Sequence, residues 1–151
     1  MGFYDDSGFS PDCSIGYLVR RTHQLGSAQL ESIFANEGLT AMQWQALAAI
    51  WYGRGNTAAE LARDLGHDKG AMTRLVDAME LQGWITRERT AGDRRCVNLA
   101  LTSTGEAVAL RCKQEVLARW NDWLADWDPP EVATMIGLLQ KLRDTLAKKA
   151  A

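Results

Sequence analysis

The chain is short of the residues from which most catalytic and metal centres are built. Its 151 residues include two histidines, His23 and His67, three cysteines and three prolines. Cys13, Cys96 and Cys112 form no CxxC pair and are odd in number, which speaks against a disulfide framework and against a zinc site. The sequence holds no paired nucleophile and base, no metal-ligand cluster and no phosphate loop, so no enzyme is expected and no cofactor is implied. No uncharged apolar run approaches the roughly 20 residues of a membrane span, and the N-terminal MGFYDDSGFSPD is acidic where a signal peptide would be basic. No membrane partner is expected, and the expected location is cytoplasmic. An excess of positive charge is missing as well, since 17 Lys and Arg against 19 Asp and Glu give a formal charge of −2. That sum counts against a nucleic-acid partner unless the charge is unevenly placed.

It is unevenly placed. Residues 1–53 hold Arg20 and Arg21 against five acids, whereas residues 84–95 hold Arg87, Arg89, Arg94 and Arg95 against Glu88 and Asp93. A locally basic edge on a mildly acidic body can bind phosphates while the remainder limits nonspecific adhesion. With 46% hydrophobic and 24% charged residues, and no repeat, low-complexity tract or linker, residues 1–151 read as a single domain with a real core.

Hydrophobic spacing predicts a mainly α (α+β) chain. Ile15, Leu18, Val19, Thr22, Leu25, Ile33 and Phe34 keep near-helical spacing, so a first helix is expected from about 13 to 36, ended by Gly38. Thr40 and Gln43 have capping-box form and open a second helix whose stripe is Trp44, Leu47, Ala48 and Trp51. After the turn GRGN, Thr57 and Glu60 form another capping box before a short helix with Leu61, Ala62 and Leu65 inward. Asp68 caps a helix over about 69–82 with Met72, Leu75, Val76 and Met79 as its inner stripe, leaving Lys69, Gly70, Thr73, Arg74 and Asp77 outward. Trp84 to Arg89 and Cys96 to Leu101 read as two strands joined by TAGDRR. Thr102 or Ser103 then caps a long fifth helix, with Ser103 and Glu106 in capping-box form, that runs past Trp120, Trp123 and Trp127. Asp128, Pro129 and Pro130 restart the chain as a sixth helix with Val132, Ile136, Leu139, Leu142 and Leu146 in its stripe.

A helix-turn-helix followed by a basic hairpin can place its second helix in the DNA major groove while the hairpin tip reaches the flanking minor groove. On the outer face of that helix, Lys69 and Arg74 suit guanine edges or phosphates, Thr73 suits either, and Gly70 allows close backbone approach. Asp77 reads as a surface or internal salt bridge. At the tip, Arg94 and Arg95 fit the focused negative potential of a narrow minor groove, and Asp93 can hold an arginine in place. The alternative for each group is an ordinary solvated face or a charged turn. The long helices at both ends carry broad apolar surfaces with no sheet to cover, which predicts that they cover each other in a homodimer. Two reading heads would then stand roughly 34 Å apart, as a pseudo-palindromic operator requires.

These residues resemble the MarR family of winged-helix transcription regulators. The likeness rests on Leu39, Thr40 and Gln43, on MTRLVDAME at Met72 to Glu80, on GWITRER at Gly83 to Arg89, on DRR at Asp93 to Arg95 and on LTSTG at Leu101 to Gly105, in order and spacing. It implies a winged helix-turn-helix lobe over 54–101 and dimerisation helices over 11–36 and 103–149. It also implies a repressor of double-stranded operator DNA, with Lys69, Gly70, Thr73 and Arg74 in the major groove and the wing at 90–95, with Asp93, Arg94 and Arg95, in the minor groove. A small aromatic or phenolic effector between the two lobes would release it. Tyr17, Arg20, His23, Trp44 and Arg111 are the effector candidates, because an aromatic wall with a cation suits an aromatic carboxylate. For Trp44 a core position and for His23 a satisfied or exposed histidine are the competing readings, and the three spaced tryptophans read as packing. One branch of the family senses peroxides through a first-helix thiol, so Cys13 is a redox candidate, although that branch's thiol would fall where this chain has Gly16. The remaining alternative is a winged-helix module that binds protein and not DNA.

Overall fold

The computed structural model describes residues 3, 4, 9–89 and 97–150. A 3-10 turn at Pro11–Cys13 leads into α1 (Ile15–Asn36), followed by α2 (Ala41–Trp51), α3 (Ala58–Asp64) and α4 (Lys69–Leu81). Strands β1 (Ile85–Arg89) and β2 (Val97–Leu101) then precede α5 (Ser103–Trp123) and α6 (Pro129–Ala150). The expected mainly helical class with a small hairpin is what forms. The chain divides into two compact units, residues 1–116 and 117–151, with the boundary inside α5. Among the described residues no helix is long and apolar enough to cross a membrane.

In the first unit, the sequence-encoded caps set the helix starts. Ser14 caps α1 by accepting from the Tyr17 N–H at 3.3 Å. Thr40 with Gln43, and Thr57 with Glu60, both form complete capping boxes, and the Asp68 carboxylate accepts from the Ala71 N–H at 2.9 Å. Each box satisfies N–H groups that the first helical turn leaves without a partner. The core joins Ile33 and Phe34 of α1 to Leu47 and Ile50 of α2, Leu61 of α3, Met72, Val76 and Met79 of α4, Ile85, Leu99, and Val108 and Cys112 of α5. Burial of a side chain such as Leu47 or Ile85 contributes about 1.5–3 kcal/mol, which makes this cluster the main source of cohesion.

The two strands pair antiparallel, with Ile85 opposite Leu101 and Arg89 opposite Val97. The base of the hairpin is tied at three points. The Leu99 N–H donates to the Asn56 carbonyl at 2.7 Å, and the Thr102 N–H donates to the Trp84 carbonyl at 3.0 Å. The Thr102 hydroxyl donates to the Gly83 carbonyl at 2.6 Å and accepts from the Gly105 N–H at 3.0 Å. Gly83 takes φ 72°, a left-handed value that lets the chain leave α4 and turn at once into β1. At Gly105 a Cβ would stand 2.8 Å from the Trp84 carbonyl carbon, so only glycine lets α5 start this close to the hairpin.

Three sequence expectations change. The cap of α5 is Thr102, while Ser103 is already helical, so the Ser103 and Glu106 capping box does not form. The buried residues of α2 are Ala46, Leu47, Ala49 and Ile50, with Trp44 and Trp51 only partly buried. In a helix apolar almost all round, alanines and branched aliphatic side chains take the inner face and the bulky rings are left at its rim. Trp127 lies beyond α5 in a turn, where its N–H donates to the Leu124 carbonyl at 3.0 Å. In α1 only Ile33 and Phe34 are buried, and Ile15, Leu18, Val19 and Leu25 are exposed.

In the second unit, α6 has no buried residue, and Ile136, Leu139 and Leu146 of its expected stripe are exposed. Its start is fixed by Glu131, whose carboxylate accepts from the Asp128 N–H at 2.9 Å. The Trp120 and Trp123 rings pack edge to face with centroids 4.9 Å apart.

Candidate nucleic-acid interface

Two short helices and a tight turn present the outer face of α4. Leu61 and Ala62 bury α3, the His67 N–H donates back to the Ala62 carbonyl at 2.9 Å, and Asp68 opens α4 one residue later. With Met72, Val76 and Met79 committed to the core, Lys69, Gly70, Thr73, Arg74 and Asp77 are all exposed. Thr73 and Asp77 are four residues apart and share a face. The Thr73 hydroxyl donates to the Lys69 carbonyl at 2.8 Å, leaving its oxygen able to accept. A Cβ on Gly70 would come within 3.2 Å of Asp68 Oδ1 and 3.8 Å of Arg74 Nη1, so the glycine leaves room for the cap carboxylate beside the arginine. The Ala71 backbone hydrogen bond, opposed by desolvation and helped by the Gly70 N–H and the charges of Arg74 and His67, holds the Asp68 carboxyl below its usual range.

Arg87 of β1 reaches back to α4. Its Nη2 donates to Asp77 Oδ1 at 2.5 Å and its Nη1 to Glu80 Oε2 at 2.6 Å. The hydrogen bond to Asp77 is the largest cause that raises the Arg87 pKa, with desolvation opposing it and the Glu80 and Asp77 charges reinforcing it. One of the four arginines counted toward a basic hairpin is therefore neutralised by α4. Sequence reasoning anticipated a salt bridge at Asp77 but not its partner. The readable signal was the pair of acids at 77 and 80, three apart on one helix face, with an arginine two residues after the buried Ile85. Asp93, Arg94 and Arg95, with Cys96, lie outside the described residues.

The effector candidates fall into separate contacts. Arg20 lies over the Tyr17 ring, 5.3 Å from its centroid, and donates to Gln24 at 3.3 Å. His23 is exposed, and Trp44 stacks on Phe34 with ring centroids 5.8 Å apart. Arg111 holds Glu37 with Nε at 3.0 Å and Nη2 at 2.8 Å, and this hydrogen bond is the main cause that lowers the Glu37 pKa. A cavity of about 300 Å³ is lined by Ile33, Asn36, Glu37, Cys112 and Glu115, none of them among the five candidates. Cys112 is buried, and burial pushes its thiol up to about 11. Cys13 is exposed in the turn before α1, where its carbonyl accepts from the Tyr4 hydroxyl at 3.0 Å. Among the described residues no three His, Cys, Asp or Glu side chains are grouped to hold a metal ion.

Known proteins resemble this chain in sequence and in fold. The family model for the MarR family matches residues 37–95. The multiple antibiotic resistance protein MarR of Escherichia coli is 30% identical over 135 residues, covering 89% of this chain and 94% of its own length. The chain belongs to the MarR family.

Solved structures superpose along most of its length. A mutant MarR from E. coli complexed with operator DNA gives a TM-score of 0.74 at 29% identity, covering 90% of this chain and 98% of its own. The transcriptional repressor CouR, bound to a 23-mer DNA duplex, gives 0.76 at 26% identity, covering 86% and 92%. The part matched by the MarR family model starts at Glu37, the partner of Arg111, and runs through both capping boxes and the Arg87 bridge to Arg95. It therefore holds every sequence-predicted DNA residue and, of the effector candidates, only Trp44.

Proposed function

We propose that this MarR-family chain is a sequence-specific DNA-binding transcriptional regulator that works as a repressor in the cytoplasm. It acts by binding and carries out no catalysis. The observation that carries it is the exposed row Lys69, Thr73 and Arg74 on α4, set by capped helices in a chain similar to two DNA-bound regulators. Lys69, Gly70, Thr73 and Arg74 read the major groove, and Asp93, Arg94 and Arg95 of the wing at 90–95 reach the minor groove. Within residues 1–151, residues 54–101 act as the DNA lobe, and 11–36 with 103–149 form a homodimer on a pseudo-palindromic site. The exposed apolar side chains of α1 and α6 support that pairing.

Release by a small aromatic or phenolic effector completes the proposal, with Tyr17, Arg20, His23, Trp44 and Arg111 as its candidate contacts. Glu37 already occupies Arg111, so an aromatic carboxylate there must displace that carboxylate. Such an effector acts through unequal affinity for the DNA-competent and incompetent spacings, and a coupling of about 1–3 kcal/mol suffices.

The test is a gel shift with the DNA flanking the chain's own gene, over a series of salt concentrations. The wild type is expected to shift that DNA. Arg94→Ala and Arg95→Ala should each weaken binding and lower the slope of log affinity against log salt by about 1 per lost phosphate contact. No shift at low salt by effector-free protein would overturn the reading.

A further inference from the structure

Arg87 is not needed to hold the core together. Its side chain is 33% exposed, its partners Asp77 and Glu80 are 57% and 39% exposed, and ion pairs of that exposure add little to stability. Its geometry is nevertheless specific, with each terminal guanidinium nitrogen on a different carboxylate of the same helix. Arg87 lies two residues beyond Ile85 on β1, so the two side chains share one face of the strand, roughly 6.7 Å apart. Ile85 is 1% exposed and anchors the hairpin base in the core. Arg87 stands opposite the buried Leu99 of β2, at the outer end of the part of that face that packs on the core, on a two-stranded sheet of the kind that depends on packing for its direction.

The two acids pose a problem of their own. Asp77 continues the exposed row of α4 one turn after Thr73, and a bare carboxylate there would repel phosphates. Arg87 offsets that charge and ties it to the hairpin.

We propose that Arg87 is a positioning residue for DNA binding: by bridging Asp77 and Glu80 it fixes the direction in which β1 leaves α4, and thereby where the wing meets the duplex. This rests on the reading of the chain as a DNA-binding regulator. Arg87 acts here through its own helix partners and does not contact phosphate.

The two roles for Arg87 give opposite signs in one experiment. The double variant Asp77→Asn, Glu80→Gln removes negative charge from the DNA-facing helix and frees the arginine. If Arg87 contacted phosphate directly, this variant would bind operator DNA more tightly. The bridge predicts binding weaker by about tenfold, with hydroxyl-radical protection lost in the flanking minor groove and kept over the central major groove. Arg87→Lys separates the roles again, because a lysine satisfies a phosphate but cannot span both carboxylates. It should bind as weakly as Arg87→Ala. Tighter binding by the double variant with intact flanking protection, or full rescue by lysine, would overturn the proposal.

Hydrogen exchange on the free protein reads the bridge without DNA. Amides of β1 and β2 should exchange at least about fivefold faster in the double variant, with α2 and α3 unchanged. Unchanged exchange in the hairpin would overturn the bridge whether or not the wild type binds DNA. A wild type that fails to shift DNA would instead defeat the regulator reading and leave the exchange result to decide the bridge.

Discussion

The middle of the chain and its ends use the same apolar periodicity with opposite results. Every buried hydrophobic side chain among the described residues lies between Ile33 and Cys112, while Ile15, Leu18, Val19 and Leu25 of α1 are between 43% and 50% exposed and α6 buries nothing. In the middle, the chain supplies the opposing surface itself: Met72, Val76 and Met79 of α4 meet Leu61 of α3 and Ile85 at the hairpin base in one cluster. At the ends, the stripes are as regular, but this one chain leaves them open. A stripe in the sequence says that a face wants cover. It does not say whose.

The sharpest way to break the middle is Gly105→Ala. An added Cβ would overlap the Trp84 backbone, which is not the far end of a flexible side chain and cannot swing aside. Either α5 shifts along its axis or the Gly83 to Trp84 turn opens, and both loosen Trp84, Ile85 and Val108 together. A loss of about 3 kcal/mol is expected, read as a lower urea midpoint at unchanged slope and fixed protein concentration. An unchanged midpoint would mean that the junction between hairpin and helix has slack, and that the middle is less closed than its burial indicates.

The ends are tested by Leu18→Asp. If α1 is covered by a second copy, a carboxylate in that contact must be desolvated, and dimer dissociation should rise about a hundredfold, or ~2.7 kcal/mol. Sedimentation equilibrium distinguishes the forms by mass. A wild type that is monomeric throughout the accessible concentration range would remove the homodimer from the proposed function and leave the exposed stripe without a partner of this kind. Far-ultraviolet circular dichroism should remain helical in the variant, because Leu18 lies outside the buried cluster.

How much was legible in the sequence follows the same division. Caps are local: Thr40 with Gln43, and Thr57 with Glu60, act over three residues, so both boxes could be read directly and both formed. The inward residues of α4 were legible for the same reason, since polar and apolar positions alternate cleanly around that helix. The inner face of α2 was not, because Ala46, Leu47, Ala49 and Ile50 sit among other apolar residues and only the neighbouring helices decide which face turns in. At α5 two adjacent hydroxyls competed for one cap, and the choice of Thr102 was made by the distant Gly83 carbonyl. The contacts Arg87 to Asp77 and Arg111 to Glu37 span 10 and 74 residues, and no periodicity announces a pairing across that distance. The exposed row on α4 could be listed residue by residue, whereas the engagement of Arg87 and Arg111 by carboxylates, which changes what each can bind, could not.

The two described thiols mark the divide between middle and ends more finely than any apolar residue. Gly105, Val108, Ala109 and Cys112 form the buried row of α5, at successive spacings of three, one and three residues, and five residues later Leu117 is 50% exposed. Cys112 is thus the last buried residue on that helix, while Cys13 lies exposed before α1. Burial disfavours the Cys112 thiolate and the nearby Glu37 carboxylate adds to the effect, with Arg111 opposing both, so the thiol is pushed up to about 11. An unfolded thiol titrates near about 8.5. The folded form therefore binds the proton more tightly. Its contribution to stability is complete below about 8.5 and is lost as pH rises through about 11. Iodoacetamide reacts with thiolate, so at pH 8 the Cys112 peptide should alkylate on the order of a hundredfold more slowly in native protein than in urea. Cys13 should label in the native protein. Equal rates at the two sites, read by mass spectrometry, would place the edge of the closed middle before Cys112 and move Glu37 and Arg111 to the open side with it.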